Sequence, residues 1–417
     1  MWFPSPKLLK TVFFSAFVIA IAGIHFSPAL ASIGVMAMIF ASILISVNQN
    51  QNVFEGWRIQ ITSIVLLLIM AGLDIYNGNS ASNSWKSIQV MLPWFFLPLL
   101  IRAPRFLKLN PFNLLMALSI PMCWISLASL INYAADFDFL SQMVLESKPL
   151  PLFTQVYHIE FSLLITVLLL GITYYFSELI RHPQKGLLIS IYIILFLTLH
   201  IISARTGLLG YWLGMAIWGG YQVRNRGIFI KIKPLQSLGV LVLALILVFQ
   251  IPSLRNRVIN TKEDLSALFQ GGDLNHKSIG QRVEAWRATL GIMGDTKPLL
   301  MGVGSHQFES ELYRSYAKKK TTLYRSNWIG PHNQTLQWMA TYGLIVVLLW
   351  YGLFITLLRA ELDTLGALMI GLPLWAASMF ESIAQRQAGA LALIMGCVVF
   401  QVVFQARGNI KKISSIN

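Results

Sequence analysis

The chain has 417 residues, of which 56% are hydrophobic and only 12% are charged, and its formal net charge is +15. A soluble domain of this size has about 25% charged residues. The composition therefore excludes an ordinary soluble enzyme and predicts an all-α, polytopic membrane protein.

Long apolar runs, taken in chain order, predict about twelve spanning helices, because about 20 apolar residues cross a hydrocarbon core of about 30 Å. Nine are expected within residues 1–251, at 10–29, 31–47, 58–76, 85–101, 112–132, 158–177, 185–203, 206–222 and 235–251. The first is interpreted as a retained helix, with an uncleaved signal anchor as the near-equivalent alternative. The short gaps at 29–31 and 203–206 leave re-entrant pairs as another possibility. Residues 335–417 are expected to contain three more spans, at 335–357, 362–380 and 388–406, and a basic cytoplasmic tail.

Lysine and arginine are distributed unevenly between alternate connections, which indicates the orientation. With the N-terminus inside, the basic connections face the cytoplasm; they contain Arg102, Arg105, Lys108, Arg181, Lys185, Arg224, Arg226, Lys231 and Lys233. The segment after the last span adds Arg407, Lys411 and Lys412 on the same side. Both termini are therefore expected in the cytoplasm, and the polar segment 252–334 outside it.

The segment 252–334 is predicted to be a large periplasmic loop. Its surplus of basic residues suits an anionic ligand such as phosphate or pyrophosphate, because guanidinium groups pair bidentately with such oxygens. A site beside the outer face of a bilayer favours a phospholipid-like substrate over nucleic acid. Within the loop, Val283, Trp286 and Leu290 recur at helical spacing, which predicts a helix lying on the membrane surface.

Three basic residues are the main candidates for chemistry. Arg205 lies at the outer end of a predicted span. A charge there is costly unless it has a partner or an aqueous cavity, so such an arginine is a candidate functional residue. The alternative is a side chain that only extends to the membrane interface. Arg282 lies on the predicted surface helix and either faces the head-group zone or is simply solvated. His332 precedes a predicted helix start, where anions are favoured, and an imidazole exchanges protons near neutral pH. Its alternative is a histidine that only caps that helix.

Other motifs give little indication of chemistry. Cys123 and Cys397 lie inside predicted spans and are interpreted as packing residues. Gly302-Val303-Gly304 is interpreted as a turn, and no nucleotide-binding or zinc-finger pattern occurs. Asp136-Phe137-Asp138 is a D-x-D string, but no metal site is predicted.

The order of several motifs resembles the superfamily of O-antigen ligases and Wzy-type O-antigen polymerases. These motifs are Arg205, Gly280-Gln281-Arg282, Gly302-Val303-Gly304, Pro331-His332-Asn333 and Tyr342-Gly343-Leu344. The segments 158–162 and 381–389 also match family positions, so the resemblance covers about residues 150–417. Earlier spans resemble the family only in hydropathy.

The resemblance implies a GT-C-like glycosyltransferase at the periplasmic face of a bacterial inner membrane. Its donor would be a glycan on undecaprenyl diphosphate, its acceptor a hydroxyl of lipid A–core, and transfer would invert the anomeric centre without a metal or other cofactor. By the same resemblance, Arg205 and Arg282 would bind the diphosphate and His332 would be the base. The further candidates for substrate binding are Asn333, Arg287, Glu160 and Arg386. Family members often have a basic residue where Glu160 stands, so a structural ion pair, for example with Arg386, is an equal alternative.

Ligase and polymerase differ little in sequence. The outer loop at 133–157 is small, whereas many polymerases have two sizeable outer loops, so the ligase is favoured and the polymerase is the runner-up. An oligosaccharyltransferase that modifies proteins with the same donor remains a further possibility. A flippase of lipid-linked sugars would predict charges at the centres of spans and paired halves of the chain, which the sequence does not show.

Overall fold

The structure is a computed structural model, and it describes residues 4–48, 57–90, 92–146, 148–179, 182–202, 204–226, 252–294, 296–361, 364–383, 386, 390–391 and 394–401. This part of the chain is helical throughout and contains no strand. The predicted span at 235–251 and parts of the predicted span at 388–406 lie outside it. The prediction of an all-α protein is confirmed.

The first eleven helices precede the polar segment. They are α1 (Pro6–Phe26), α2 (Pro28–Asn48), α3 (Trp57–Tyr76), α4 (Ala81–Gln89), α5 (Leu92–Phe95), α6 (Leu97–Phe106), α7 (Pro111–Ala135), α8 (Phe137–Leu145), α9 (His158–Leu179), α10 (Lys185–Ile202) and α11 (Arg205–Arg226). Side-chain caps fix several of their starts: the Ser5 hydroxyl accepts from the amide of Leu8, and the Asn110 side chain accepts from that of Phe112. In both helices a proline follows the cap directly, where its missing N–H costs nothing.

Five of the described helices are long and apolar enough to cross a membrane, namely Pro6–Phe26, Pro28–Val47, Pro111–Ala135, His158–Phe176 and Lys185–Ile202. Three apolar helices are shorter, namely Ile61–Tyr76, Leu344–Thr356 and Leu365–Ser378. Seven of these eight segments coincide with predicted spans, and the eighth, Leu344–Thr356, covers only the second part of the predicted span at 335–357. The total of twelve stays a prediction.

The predicted span at 85–101 is wrong as a single helix. The chain forms three short helices there, α4, α5 and α6, with breaks between them. Proline has no amide hydrogen to donate and its ring clashes with the preceding turn. Pro93 and Pro98 both fall within the first turn of a new short helix, so the apolar run is interrupted despite its hydropathy.

The polar segment folds into a small helical domain, which we call the loop domain (residues 252–334). It contains α12 (Pro252–Gln270), α13 (Ser278–Ile292), α14 (Thr296–Met301), α15 (Phe308–Lys318) and a 3₁₀ turn (Arg325–Asn327). Its own core includes Ala285 and Ala288 of α13 and Leu312 and Tyr316 of α15. It is therefore a packed body that can hold side chains in place, and we call the end of the bundle that it covers the loop end.

The bundle resumes after the loop domain with α16 (Gln334–Tyr342), α17 (Leu344–Glu361) and α18 (Thr364–Ser378). The predicted span at 335–357 is therefore also wrong as a single helix, because the chain breaks at Gly343. This glycine has φ +88°, and a side chain on it would collide with the backbone of Leu300. Only glycine tolerates both conditions.

The Gly302-Val303-Gly304 strip binds the end of α16. The amide of Val303 donates to the carbonyl of Ala340, and the amide of Gly304 donates to that of Thr341, both at 2.9 Å. A side chain on Gly302 would collide with Thr341. Two motifs that are separate in sequence thus form one backbone contact, which joins the loop domain to the bundle beside the site described next.

Candidate active site

Charged side chains from helices α9, α11, α12 and α13 and from two connections meet at the loop end. Four helices, α9, α11, α13 and α16, begin there, with their first residues near the cluster. The positive ends of helix dipoles favour anions. The members of the cluster are Glu160, Arg205, Asp264, Arg282, His332, Glu381 and Arg386.

Arg205 is the first residue of α11, where the helix dipole disfavours a cation. Close packing of α11 on α9 brings it to the site: Gly207 lies so near Ser162 that a side chain on the glycine would overlap it. The carbonyl of Gly207 also accepts from the Thr166 hydroxyl at 2.9 Å. A cation held where it does not stabilise its own helix points to a binding role.

Asp264 of α12 faces Arg205 and the start of α13. Its Oδ2 lies 3.9 Å from a terminal nitrogen of Arg205 and accepts from the amide of Ile279 at 3.1 Å, in the first turn of α13. Arg282 follows one turn later on α13, close enough for the two guanidinium groups to repel each other. This buried carboxylate therefore faces one cation directly and binds the first turn of the helix that carries the other.

His332 and Glu381 form a hydrogen-bonded dyad. The Nδ1 of His332 lies 3.0 Å from Oε1 of Glu381, and Glu381 is almost fully buried, with 2% of its side chain exposed. The other carboxylate oxygen, Oε2, lies 3.7 Å from Arg282. When Nδ1 carries the hydrogen, Nε2 keeps its lone pair and can accept a proton.

The backbone at His332 is held in an uncommon conformation. Its φ is +44°, which costs a non-glycine residue about 1 kcal/mol or more, although histidine tolerates it better than most. The Trp286 ring nitrogen donates to the carbonyl of Pro331 at 2.7 Å, and the hydroxyl of Tyr316 donates to that of Ile329 at 3.0 Å. Two side chains of the loop domain thus hold the segment that presents the imidazole.

Asn333, and not His332, caps α16. Its Oδ1 accepts from the amide of Leu336 at 3.0 Å, which is the usual N-cap bond. The alternative of His332 as the cap is therefore wrong. The role of Asn333 in substrate binding stays a prediction. In the structure, its side-chain oxygen is used by the amide of Leu336.

Electrostatics keep Glu381 ionised. Burial alone would raise the pKa of its carboxyl. The hydrogen bond with His332 and the charges of His332, Arg282 and Arg386 lower this pKa by more than burial raises it, so it lies below the ordinary value. An ionised Glu381 favours the hydrogen on the facing Nδ1. In the neutral imidazole, this arrangement leaves the lone pair on Nε2.

Glu160 and Arg386 form a second pair at the edge of the cluster. Their closest atoms, Oε1 and a terminal nitrogen, are 3.8 Å apart, and the guanidinium lies 5.0 Å from the ring centre of Tyr157. Glu160 also interacts electrostatically with Glu381. The structure thus places Glu160 in the ion pair that the sequence offered as an equal alternative to a catalytic role.

Several polar atoms of the cluster have no hydrogen bond within the described residues although they are buried. They are Nε of Arg205, Oε1 of Glu160 and Oε2 of Glu381. The ion pairs that involve Arg205, Arg282 and Arg386 are all longer than a hydrogen bond. The cluster therefore retains unused donors and acceptors for a polar ligand.

Arg287 is not brought to the cluster. It lies on the exposed side of α13 and pairs with Glu284 at 2.6 Å, and Glu284 in turn accepts from the Thr321 hydroxyl at 2.9 Å. Trp286, which was expected to face the membrane together with Val283 and Leu290, is partly buried between the His332 segment and Phe380. The predicted helix is present. The prediction that all three apolar residues face the membrane is wrong for Trp286, which packs against other residues of the protein.

Two members of the cluster were not predicted from the sequence. Glu381 was part of a quoted motif but received no role, and Asp264 gave no signal at all. Only the fold joins Glu381 to His332 and Asp264 to Arg205. Among the described residues, no group of three or more His, Cys, Asp or Glu side chains is arranged to hold a metal ion.

Residues 190–351 match the family model described as O-antigen ligase. This stretch is similar to O-antigen ligases. This confirms the resemblance over somewhat less than half of the chain, and the matched part includes Arg205, Arg282 and His332. A search of curated proteins found no match.

The family match and the apolar helices together support a multi-pass membrane protein with a function of the ligase or polymerase type. Family members are enzymes of the membrane glycosyltransferase kind. Glu160, Glu381 and Arg386 lie outside the matched residues, so only the structure links them to the site.

Proposed function

We propose that this protein is an O-antigen ligase, which transfers a glycan from undecaprenyl diphosphate to a sugar hydroxyl of lipid A–core. One observation carries the proposal: two arginines and a histidine–carboxylate dyad meet where four helices begin, within and beside the stretch that is similar to O-antigen ligases. The arginines suit a diphosphate and the dyad suits a hydroxyl. Both halves of a transfer reaction therefore have a partner.

The acceptor half of the reaction rests on His332. The acceptor hydroxyl attacks the anomeric carbon of the donor glycan, and its proton passes to Nε2 of His332. Glu381 holds the imidazole by Nδ1 and stabilises the positive charge that develops on it, as a carboxylate does in other base–orienter pairs. Glu381 is thus a positioning residue, and His332 is the catalytic residue.

The donor half rests on Arg205 and Arg282. As the bond between the anomeric carbon and the diphosphate oxygen breaks, its electrons stay on the diphosphate, which leaves as an anion. The two guanidinium groups and the helix N-termini stabilise that charge. Attack from the opposite side of the ring inverts the anomeric centre, and no metal ion is required for this charge stabilisation.

The carboxylates of the cluster explain how the arginines stay in place before the donor binds. Two cations side by side would repel each other, and Asp264 and Glu381 offset this repulsion at 3.9 and 3.7 Å. Because these distances exceed that of a hydrogen bond, a diphosphate can take up the free N–H groups without first breaking short ion pairs.

The orientation completes the proposal. The loop end faces the periplasm, both termini are cytoplasmic, and the membrane is the bacterial inner membrane. About twelve spans and a GT-C-like architecture belong to the same proposal. Its support is the bias of lysine and arginine in the sequence.

The test is the lipopolysaccharide of a host that lacks the gene. We expect lipid A–core without attached polymer, together with polymer that accumulates on the carrier lipid. Core that bears a single repeat unit would instead identify a polymerase. Normal lipopolysaccharide would contradict both functions.

A further inference from the structure

Helix α12 of the loop domain exposes a stripe of apolar residues and buries two polar side chains, although Ala267 and Leu268 on its other side pack against the loop-domain core. Its exposed apolar residues Val258, Leu265 and Phe269 are spaced by seven and four positions, so they lie along one side of the helix. Phe269 is 82% exposed. On the other side, Asn256 and Asp264 are buried. A helix in water does the reverse, which indicates that the exposed side of α12 meets a medium less polar than water.

The surroundings of α12 indicate that this medium is lipid. The helix packs against the loop end of α10 and against α8. Helix α10 is long and apolar enough to span a membrane, and it exposes Ile193 and Leu197 on one face as a lipid-facing helix does. Helix α12 thus lies beside a helix that is already expected to contact lipid.

Two cations lie beside the apolar stripe. Arg255 and Lys262 are exposed and, at helical spacing, fall next to Val258 and Phe269. In an interfacial helix, basic side chains flank the apolar residues and contact lipid phosphates, while their methylene stems cover apolar surface. The pattern of α12 matches this arrangement.

The buried side of the same helix reaches the active-site cluster. Asp264, adjacent to Leu265 in sequence, contacts both Arg205 and the start of α13. Whatever fixes α12 against the bundle therefore also fixes the carboxylate that faces Arg205 and binds the start of α13. The exposed side of α12 can therefore affect the active-site cluster although it is not part of that cluster.

We propose that α12 is an interfacial helix that inserts Val258, Leu265 and Phe269 into the phospholipid leaflet at the loop end. Arg255 and Lys262 contact the lipid phosphates, and the lipid surface holds Asp264 against Arg205. This assignment concerns a membrane-surface contact and does not depend on which glycan is transferred.

The experiment measures the depth of single spin labels in phospholipid nanodiscs. Cys123 and Cys397 are replaced by alanine, and a cysteine is introduced at Leu265, at Phe269 or, as the control on another side of α12, at Glu263, which is exposed. Accessibility to oxygen, which concentrates in lipid, is compared with accessibility to a water-soluble nickel chelate. We expect the oxygen-to-nickel ratio at Leu265 and Phe269 to exceed that at Glu263 several-fold.

Two outcomes would overturn the proposal. Equal ratios at the three positions would place the apolar side of α12 in water. Low access to both reagents at Phe269, with dipolar broadening between labels on two copies, would show that a second copy of the chain covers it. Because the readout is depth and not transfer, a failure here is distinguishable from a failure of the proposed ligase function.

Discussion

At the scale of single residues, the site combines a proton acceptor with a cationic pocket, and each part depends on a buried carboxylate. Glu381 accepts from His332 and faces Arg282, so it belongs to both parts. A buried carboxylate with a cation on one side and an imidazole on the other couples the position of the proposed base, His332, to that of the proposed diphosphate-binding residue, Arg282.

Replacing His332 tests the base. If it takes the proton of the acceptor hydroxyl, His332→Ala should lower the transfer rate by roughly 10² to 10⁴, the usual range for general acid–base help. Donor binding should be nearly unchanged, because the arginines remain. The measurement is transfer by the purified protein with lipid-linked donor. His332→Gln can form hydrogen bonds but cannot accept a proton near neutral pH, so it should be about as slow. Near-normal activity of the glutamine variant would leave His332 only an orienting role.

Replacing the arginines tests the leaving-group pocket, and α13 provides a matched control. Arg282→Ala or Arg205→Ala should lower transfer by about 10² or more, the effect of removing one preorganised donor to a developing charge. Lysine at either position should restore activity only in part, because it lacks the bidentate fork. Arg287→Ala removes an arginine from the exposed side of α13 and should be close to wild type. Equal losses at Arg282 and Arg287 would contradict the assignment.

The depressed pKa of Glu381 predicts how stability changes with pH. A carboxyl whose folded pKa lies below its ordinary value stabilises the fold above the ordinary value, about 4.3, and this contribution is lost as the pH falls through the folded pKa. Thermal unfolding in detergent should therefore depend less on pH in this acidic range for Glu381→Gln than for wild type. Glu311→Gln, at an exposed pair with Arg314, is the control and should follow wild type.

At the scale of elements, the break between α16 and α17 sets the position of the site. It allows α16 to turn away from α17 and to begin at Gln334, and its cap Asn333 directly follows His332. The break in turn depends on the contact between the end of α16 and the Gly302–Gly304 strip. Asp74 at the end of α3 reinforces this contact, because it accepts from the Ser305 hydroxyl at 2.7 Å.

Glycine substitutions test this contact. Gly343→Ala combines a positive φ with a collision against the backbone of Leu300, so it should destabilise the protein by at least about 1–3 kcal/mol. Gly302→Ala should behave similarly. Gly352→Ala is the control, because this glycine lies within α17 with open space around it and alanine is the better helix former. Thermal unfolding in detergent distinguishes them; a stable Gly343→Ala protein would mean that the break is not required.

The sequence predicts some elements of the fold better than others. Hydropathy located the apolar helices well, since length and composition alone determine whether a run is suited to a bilayer. Hydropathy failed at 85–101 and at Gly343. It contains no information on proline geometry or on the backbone contact between the end of α16 and the Gly302–Gly304 strip, which is distant in sequence. At the site, isolated charges such as Arg205 and Arg282 were conspicuous, whereas Asp264 and Glu381 acquire a meaning only through their partners in the fold.

At the scale of the whole molecule, the loop domain is attached to the bundle at several independent points. Asp74 of α3 joins it to Ser305, Asp264 of α12 faces Arg205 of α11, and the Gly302–Gly304 strip binds α16. These attachments involve helices from distant parts of the chain. All of them lie at the loop end, so the side of the membrane that this end faces decides where the site meets its substrates.

The last prediction therefore concerns orientation. If the loop end faces the periplasm, a reporter that is active only in the periplasm should be active when fused near Lys319, on the loop domain. The same reporter should be inactive when fused near Arg359, in the last turn of α17, because that helix begins at the loop end and runs to the opposite side. A reporter that is active only in the cytoplasm should give the complementary result at both positions. The reverse pattern would place the cluster in the cytoplasm, where a carrier-linked polymer assembled outside the cell membrane could not reach Arg205, Arg282 and His332.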